Sequence, residues 1–532
     1  MRRYFNTEGR CIPEEHYMVR LDDRLAKIKE QYVDRRKYFL INRGRQYGKT
    51  TTLMEMAKYL QADYGVIFID FQLLGEEDFA DEERFVIAFL EYLEELLAEN
   101  KALRECMDEE AFCNLISLKD HSRISLSRLF RGLSRVCRES GKPIVLMIDE
   151  VDNASNYRVF LDFLAMLRGY YLDRGSRATF HSVILAGVYD IKNLKLKLRP
   201  EEEHQYNSPW NIAADFNFEM SFTPVQITAM LEDYEVDCHT GMDVPSVAEE
   251  IYQYTSGYPY LTSLICKILD EKLPEDRDFS ERNCVWSREG IVEAVKLILK
   301  SSTPLFESMV KQLDTFRDLR EMVRGIIYQG KQVIFNPDIR SISLGRMFGF
   351  LKEESGKVLV SNRIFEMRML NMFIMEDSVK SELFSYGEEG KNQFITNCRL
   401  NMKLILEKFV IHFTDIYGEH GEKFVEEYGR RYFLLYLKPI INGVGNYYIE
   451  AQTRDARRTD VIVDYLGEQY IVELKIWHGN EYQERGQKQL TEYLDYYHKD
   501  QGYLLSFNFN KNKEQGVRKL QIDGKTIIEA VV

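Results

Sequence analysis

The N-terminal part of the chain alternates short apolar runs with longer stretches of helical periodicity. Four apolar runs are bounded by glycine, proline or polar residues, at positions 36–42, 65–72, 144–151 and 181–188. The segment between the second and third runs has a helical pattern from about residue 78 to residue 140. Short apolar runs that alternate with helices are typical of a parallel, doubly wound sheet. The pattern therefore predicts an α/β unit over residues 1–221.

The pattern changes after this unit. Residues 222–285 predict a helical lid, whose first helix begins at Thr223-Pro224. Residues 286–375 mix helices with a strand pair around Gly356, a pattern compatible with a winged helix. The charged, broken stretch 376–394 is predicted to be a linker.

The last predicted domain covers residues 395–532. Its pattern gives two helices, three strands, a helix and a last strand. Counted from the second helix, this is an α-β-β-β-α-β order. The last strand is expected at GYLLSFNF, residues 502–509. The fold class predicted for the whole chain is α/β, with a second sheet in this domain.

Composition and charge narrow the class of protein. Of the 532 residues, 45% are hydrophobic and 29% are charged, which is ordinary for a soluble chain with more than one core. No apolar run is long enough to cross a bilayer and the N-terminus has no apolar signal core, so we expect a cytoplasmic protein without a membrane partner. The 8 cysteines are scattered, which disfavours structural zinc and a disulfide framework. The net charge of −14 disfavours coating of DNA by overall charge but leaves room for a local basic groove.

A glycine-bearing loop follows the first predicted strand. Backbone N–H groups of such a loop, together with the positive end of the next helix, hold phosphates. Lys49 is predicted to reach the β- and γ-phosphates and the Thr50 hydroxyl to bind Mg²⁺. The pattern GxxxxGK[ST] has glycine where this chain has Arg43. The predicted cofactor-binding residues of the loop are Gly44, Gln46, Tyr47, Gly48, Lys49, Thr50 and Thr51.

A second element supports the nucleotide site. Asp149 and Glu150 stand at the end of the apolar strand IVLMID. Asp149 is predicted to hold Mg²⁺ through water, and Glu150 to polarise the attacking water. Asp190, just past the fourth apolar run, is either a sensor of the γ-phosphate or a simple turn residue.

Residues 4–275 resemble the AAA-like ATPases. The resemblance rests on the entry FNTEGRCIP, the loop INRGRQYGKTT, in which Arg43 is usual for the family, and the later segments LAGVYDIKNLK, SPWNIAADF and SGYPYL. NRIFEM lies in a segment that often accompanies them. The resemblance implies that the protein binds ATP and changes conformation, but it implies no substrate.

The last domain carries carboxylates beside a lysine. Glu473 and Lys475 alternate along one predicted strand and share a face, and Asp460 opens the strand before it. Two acids can hold Mg²⁺, or Mn²⁺, and a lysine can position the attacking water or stabilise the charged phosphate. A third acid is Glu427, with Glu426 as the alternative.

Residues 395–532 resemble the PD-(D/E)XK nuclease superfamily, in the branch with a Gln-x-x-x-Tyr motif. Here Gln489 and Tyr493 supply that motif on the helix after Lys475. Thr459 replaces the proline of the family motif. The resemblance implies catalytic roles for Asp460, Glu473, Lys475, Glu427 and Gln489. Three further candidates for phosphate contacts are Arg454, Arg457 and Arg458, which are otherwise solubilising loop residues.

Two functions remain open at this stage. The first is an ATP-regulated nuclease that acts on DNA, with RNA as an alternative substrate, and by analogy in defence against foreign DNA. The second is an ATP-dependent signalling or scaffold switch whose nuclease-like domain binds without cutting. Self-association is compatible with both, and no helicase motif beyond the nucleotide site is present.

Overall fold

The computed structural model describes most of the chain as two compact units. Unit 1 comprises Met1–Trp286 and Ser343–Gly349, and unit 2 comprises Ser287–Ile342 and Phe350–Val532. The description covers residues 2–532 except 122, 189–209, 211, 276–278, 280–284, 330, 379–380, 398, 418–425, 442–444, 449–460, 467, 478–479, 498, 509 and 511–513. Among the described residues, no helix combines the length and the apolar character that a membrane span requires.

Unit 1 is built on a four-stranded parallel sheet in the order β1-β4-β3-β2. The strands are β1 (Tyr38–Asn42), β2 (Gly65–Asp70), β3 (Ile144–Asp149) and β4 (Ser182–Gly187). Almost all residues of β1, β3 and β4 are buried, as expected for strands that are covered on both faces. The predicted parallel α/β sheet is confirmed.

Helices cover both faces of this sheet. One face packs on a cluster that includes Ile67, Ile148 and Phe163, and the other on a cluster that includes Leu53 and Met147. The helices of this part are α1 (Asp22–Ile28), α2 (Lys49–Leu60), α3 (Glu82–Glu99), α4 (Lys101–Cys106), α5 (Glu109–Ile116), α6 (Leu126–Glu139) and α7 (Arg158–Leu172).

The helices predicted between residues 222 and 275 are present. They are α8 (Pro224–Cys238), α9 (Val244–Thr255) and α10 (Pro259–Lys267). Thr223 and Gln226 form a capping box at the start of α8, which explains why the helix begins at this Thr-Pro pair. Gly257 follows α9 with a φ of 73°, and a Cβ there would lie 1.8 Å from the carbonyl oxygen of Phe222.

The next part of the chain combines helices with a small antiparallel sheet. The helices are α11 (Arg288–Lys300), α12 (Pro304–Thr315), α13 (Arg317–Gln329), α14 (Arg340–Met347) and α15 (Arg363–Ser378). The strands are β5 (Val333–Ile334), β6 (Leu351–Glu354) and β7 (Lys357–Val360), in the order β5-β7-β6. The predicted strand pair is present, with Ser355 and Gly356 at its turn, whereas the winged-helix classification stays a prediction.

The segment predicted as a linker carries regular structure. It contains α16 (Glu382–Glu389), followed by the short strands β8 (Ile395–Thr396) and β9 (Arg399–Leu400). A Cβ on Gly387 would lie 2.2 Å from the carbonyl oxygen of Tyr436, so α16 is packed closely on a later helix. The domain boundaries given by the sequence pattern stay predictions.

A six-stranded mixed sheet forms the C-terminal part of unit 2, in the order β10-β11-β12-β13-β15-β14. Its strands are β10 (Gly445–Tyr448), β11 (Val461–Tyr465), β12 (Glu468–Ile476), β13 (Gln501–Phe507), β14 (Gly516–Ile522) and β15 (Lys525–Val531). Its helices are α17 (Met402–Tyr417), α18 (Glu426–Ile441) and α19 (Asn480–Tyr496).

The predicted element order is present as far as β13, but the prediction that this strand is the last was wrong. The chain continues as an antiparallel hairpin of β14 and β15. Its turn is Asp523-Gly524, with φ values of 50° and 78°, a pair of residues that favours a tight hairpin. β14 is an edge strand with exposed Arg518 and Lys519, so it lacks the apolar run by which the other strands were recognised.

Candidate functional sites

The predicted phosphate-binding loop connects β1 to α2 in unit 1. Gly48 stands directly before α2 with a φ of 75°, in the left-handed region that favours glycine. Gln46 also has a positive φ, of 56°. These conformations turn the chain from strand into helix within a few residues. The backbone N–H groups at the start of α2 have no carbonyl partner within the helix, which suits an anion.

Lys49 is buried in the loop, with 6% of its surface exposed. Its Nζ donates hydrogen bonds to the carbonyl oxygens of Arg43 and Gly44, each at 3.1 Å. Burial lowers the pKa of Lys49, and the carboxylates of Glu150 and two neighbouring aspartates act in the opposite direction. The ammonium group is therefore held at the loop by neutral carbonyl groups, and an anionic phosphate is the stronger acceptor.

Arg43 occupies the position where the common loop pattern has glycine. Its guanidinium donates to the carbonyl oxygens of Phe218 at 2.6 Å and Asn42 at 3.0 Å, and it lies over the Phe216 ring. The side chain is thus turned onto the segment that follows the sheet. This arrangement explains why an arginine is compatible with the loop.

Tyrosines and one backbone segment contact the outside of the loop. The Tyr47 hydroxyl shares a hydrogen bond of 2.8 Å with Ser221, and its ring packs edge-on against Tyr258. The Tyr258 hydroxyl donates to the carbonyl oxygen of Arg45. A Cβ on Gly44 would lie 2.6 Å from the carbonyl oxygen of Phe348, so this backbone passes within contact of the loop. Contacts within unit 1 therefore fix the loop from several sides.

Thr51, a predicted cofactor-binding residue, also contacts the N-terminal segment. Its hydroxyl oxygen accepts a hydrogen bond from the Cys11 N–H at 3.1 Å. Arg10 also contacts the Met54 sulfur, one turn further along α2. The N-terminal segment therefore rests on the first turns of α2, and the Thr51 hydroxyl serves this contact.

Asp149 ends β3 and is fully buried. Its Oδ1 accepts from the Glu150 N–H at 2.9 Å, whereas its Oδ2 is buried without a hydrogen-bond partner among the described residues. Burial raises the pKa of Asp149, and the nearby Thr50 hydroxyl opposes this shift. A buried carboxylate oxygen that lacks a donor is costly, and a cation at this position removes the cost. The residues present therefore fit a phosphate-bound Mg²⁺ ion.

Glu150 follows the strand in a left-handed conformation, with a φ of 50°. It is half-buried, and burial raises its pKa while Lys49 lowers it. A carboxylate with a raised pKa is a better proton acceptor than a carboxylate with an ordinary pKa. Asp190, the predicted sensor, lies outside the described residues.

One acid near this site was missed by the sequence analysis. Asp70 ends β2, and its Cα is in register with Asp149 on β3. The signal was present in the sequence, because GVIFID and IVLMID are both apolar strands that end in an aspartate. Among the described residues, no group of three or more His, Cys, Asp or Glu side chains is arranged to hold a metal by itself. Mg²⁺ sites that use phosphates and water need only one or two carboxylates.

The structure brings Glu473 and Lys475 together on β12. Lys475 Nζ lies 3.0 Å from Glu473 Oε1; the Glu473 side chain is fully buried and 23% of the Lys475 side chain is exposed. A Cβ on Gly486 of α19 would lie 3.2 Å from Lys475 Cγ, so this helix passes close to the lysine. On the same helix Gln489 is half-buried and Tyr493 is buried. The described part of this site is one carboxylate paired with one lysine under a helix.

Other predicted members of this site are not described. Asp460 lies outside the described residues, as do the arginines at positions 454, 457 and 458. The nearest described pair in the β11–β12 register is Val461 opposite Val472. Glu426 and Glu427 belong to α18, but the structure does not describe their side chains.

A second buried carboxylate lies on the same sheet. Leu504 of β13 is in register with both Glu473 and Glu529, so the two acids share a face. Glu529 is fully buried and lies 2.6 Å from Arg518 Nε. Two strand spacings separate it from Glu473, roughly 10 Å, which is too far to share one metal ion. Glu529 is therefore half of a structural ion pair.

Comparison with known families agrees with the fold of unit 1. Residues 25–278 match the family described as AAA-like domain. This match covers both the phosphate-binding loop and the three helices that follow the sheet. A search of curated proteins finds no match.

Several solved structures are similar to this chain at low identity. A Walker-type ATPase of Pyrococcus abyssi has 15% identity and a TM-score of 0.47, covering 69% of this chain and 99% of that one. The Thermotoga maritima RuvB Holliday junction branch migration motor has 12% identity and a TM-score of 0.32, with coverages of 64% and 90%. The Aeropyrum pernix ORC2 protein has 10% identity and a TM-score of 0.34, with coverages of 69% and 98%. At these values the three structures say nothing about what this chain binds.

Proposed function

We propose that this protein binds and hydrolyses ATP as a switch, and that the switch is coupled to a metal-dependent nucleic-acid-cleaving domain. The observation that carries the nucleotide part is the convergence of Lys49, Thr50 and Asp149 at the carboxyl ends of parallel strands. The match of residues 25–278 to an AAA-like domain supports ATP as the ligand.

Each residue of the nucleotide site has a separate task in this proposal. Lys49 exchanges its carbonyl partners for the β- and γ-phosphates, to which it donates charge-assisted hydrogen bonds. The Thr50 hydroxyl and the Asp149 carboxylate hold Mg²⁺, which supplies neutralisation of phosphate charge. Glu150 accepts a proton from the attacking water, a role favoured by its raised pKa.

The nuclease part rests on unit 2. Glu473 and Lys475 are 3.0 Å apart, and Gln489 lies on the helix that passes over them. In this proposal Glu473 and Asp460 hold Mg²⁺ or Mn²⁺, with Glu427 as a further acid, and Lys475 stabilises charge on the phosphate. The expected substrate is DNA, with RNA as the alternative, and defence against foreign DNA suits the pairing by analogy.

A specific observation favours the alternative, a signalling or scaffold switch whose nuclease-like domain binds without cutting. Glu473 is fully buried and is already paired with Lys475, as a purely structural ion pair would be. The net charge of −14 also opposes broad binding to a polyanion.

The test is an incubation of the purified chain with linear DNA, circular DNA and RNA. Each substrate is combined with Mg²⁺ or Mn²⁺, and with ATP, a non-hydrolysable ATP analogue or no nucleotide. Cleavage that requires the metal and changes with nucleotide supports the proposal. Absence of cleavage under every condition, with ATP hydrolysis intact, selects the alternative.

A further inference from the structure

Asp70 and Asp149 end neighbouring strands of the unit 1 sheet. β2 and β3 are parallel and in register over their whole length, from Gly65 opposite Ile144 to Asp70 opposite Asp149. Side chains of in-register residues on parallel strands project from the same face. The two carboxylates therefore leave the sheet side by side at the carboxyl ends of their strands.

The face that they share is the face of the phosphate-binding helix. Side chains at every second position of a strand share a face. Val66 and Phe68 therefore lie on the same face of β2 as Asp70, and Met147 lies on the same face of β3 as Asp149. These residues pack in or against the core cluster that contains Leu53 of α2. Asp70 is thus placed on the side of the sheet from which Lys49 and Thr50 approach.

A simpler role for Asp70 is also visible. Its Oδ1 accepts a hydrogen bond from the Gln72 N–H at 2.9 Å, which caps the short helix Phe71–Leu73. This cap needs only a neutral acceptor, so asparagine serves it as well as aspartate. The negative charge of Asp70 is not explained by the cap.

The charge of Asp70 is unfavourable in the protein without a cation. Asp149 is fully buried and its Oδ2 has no donor among the described residues. Asp70 stands opposite Asp149 in the register of β2 and β3, on the same face of the sheet, so the two negative charges are neighbours. Like charges beside a buried carboxylate are costly, and such costs are concentrated at functional sites.

We propose that Asp70 is the second carboxylate of the Mg²⁺ site and positions, together with Asp149, the hydrated divalent cation that accompanies the nucleotide. The inference rests on the proposed ATP site and adds a residue to it. A pair of carboxylates with water and phosphate oxygens completes the coordination that Mg²⁺ prefers. Asp70 acts on the cation and its water, so it is a positioning residue and does not contact the reacting atoms.

Two substitutions separate the charge from the cap. Asp70→Asn keeps an acceptor for the Gln72 N–H and removes the charge, whereas Asp70→Ala removes both. Asp81→Asn is the matched control, because Asp81 also caps a helix by accepting from a backbone N–H, in this case that of Arg84 at 2.9 Å. All three variants are examined in the full-length chain.

The first measurement is the thermal midpoint without nucleotide or divalent cation. Asp70→Asn is expected to raise it by about 2 °C or more, because repulsion with the buried Asp149 is relieved. If Asp70 only caps the short helix, its replacement by asparagine gives no such rise in the thermal midpoint. A midpoint that falls in Asp70→Asn as much as in Asp70→Ala overturns the inference.

The second measurement is the Mg²⁺ concentration that half-saturates binding of a fluorescent, non-hydrolysable ATP analogue. Asp70→Asn is expected to increase it by about tenfold, as for residues that support metal ligands, and Asp81→Asn to leave it unchanged. If wild type requires Mg²⁺ and Asp70→Asn requires the same concentration within twofold, the assignment of Asp70 is wrong. If wild type binds no nucleotide at all, the proposed ATP site itself fails.

Discussion

Arg43 and Lys49 of the phosphate-binding loop differ in the groups that accept their hydrogen bonds. Arg43 donates hydrogen bonds to the carbonyl oxygens of Phe216 and Phe218, which lie outside the loop. In the described part of the chain, the Lys49 ammonium group donates its hydrogen bonds to carbonyl oxygens of the loop itself. We therefore expect an anionic ligand to displace the partners of Lys49 and to leave Arg43 in place. In the proposed ATP site, Arg43 is accordingly a structural residue and Lys49 a binding residue.

At the residue scale, Glu150 gives a prediction about hydrolysis. Glu150→Gln is expected to keep ATP affinity and to slow hydrolysis by roughly 10²–10⁴-fold, because the amide accepts no proton from water. The measurement is a single-turnover rate at saturating ATP, with the exposed Asp162→Asn of α7 as the control. A Glu150→Gln rate equal to that of wild type shows that Glu150 only ends the strand.

His16 gives a prediction about pH. Its Nδ1 accepts from the Ile12 N–H at 2.8 Å, and its Nε2 is buried without a partner among the described residues. Burial lowers the pKa of His16, and Glu15 opposes the shift. The folded protein disfavours the protonated form of His16. The contribution of neutral His16 to the free energy of unfolding is therefore present above pH ~6.5, and it is lost as the pH falls below that value.

The test is the thermal midpoint between pH 7.5 and pH 5.5. His16→Asn keeps an acceptor for the Ile12 N–H and cannot titrate, so it is expected to lose less stability than wild type over this range. His181 and His412 also have pKa values lowered by burial, so some acid sensitivity remains in the variant. An identical pH profile in wild type and His16→Asn contradicts the assignment.

At the scale of elements, the phosphate-binding loop is packed against the end of α14. A Cβ on Gly44 would lie 2.6 Å from the carbonyl oxygen of Phe348, and Gly349 adopts a φ of 80° beside Tyr47 and Tyr258. Glycine at position 44 is therefore required by a neighbour that is distant in sequence. From the sequence pattern of the loop alone, this glycine would be attributed only to phosphate binding.

Gly44→Ala tests this contact. The added methyl group is expected to destabilise the protein by about 1–3 kcal/mol, because backbone atoms of Phe348 must shift. Gly169→Ala in α7 is the control, since a Cβ there meets nothing within 4 Å. The control is expected to gain about 0.5–1 kcal/mol, as alanine does in a helix. Equal unfolding midpoints for the two variants in urea contradict the tight contact.

At the scale of the whole molecule, the proposed nuclease site predicts which variants lose cleavage of nucleic acid. Glu473→Gln and Lys475→Met are each expected to abolish metal-dependent cleavage, and the double variant to be no worse than either, because the groups act as a unit. Lys488→Met, an exposed change on α19, is the control. Cleavage is measured on the best substrate, with folding checked by circular dichroism. Single variants that cut like wild type place the site elsewhere.

How much of this structure can be predicted from the sequence depends on how far apart in the chain the interacting residues lie. The strands Gly65–Asp70 and Ile144–Asp149 were predictable because each is a continuous apolar run. Their register was not, because it depends on packing between segments far apart in the chain, and so the pairing of Asp70 with Asp149 was missed. β14 was missed because an edge strand exposes its charged side chains.

The same limit applies to the candidate sites. The position of Lys49 follows from a local pattern, whereas the orientation of Arg43 depends on carbonyl groups near residue 218. The predicted role of Thr51 did not anticipate that its hydroxyl meets the Cys11 N–H of the N-terminal segment. The nearness of Glu473 and Lys475 follows from strand alternation alone.

The central claim is that Lys49 and its neighbours form an ATP site, and calorimetric titration of Mg²⁺-ATP into the full-length chain tests it most directly. Wild type is expected to bind ATP, and Lys49→Ala to lose roughly 10–100-fold or more in affinity, the worth of a hydrogen bond to a charged group. Lys58→Ala, an exposed change on the same helix, is expected to bind like wild type. Equal ATP affinity in Lys49→Ala and wild type, with both proteins folded, would contradict the account.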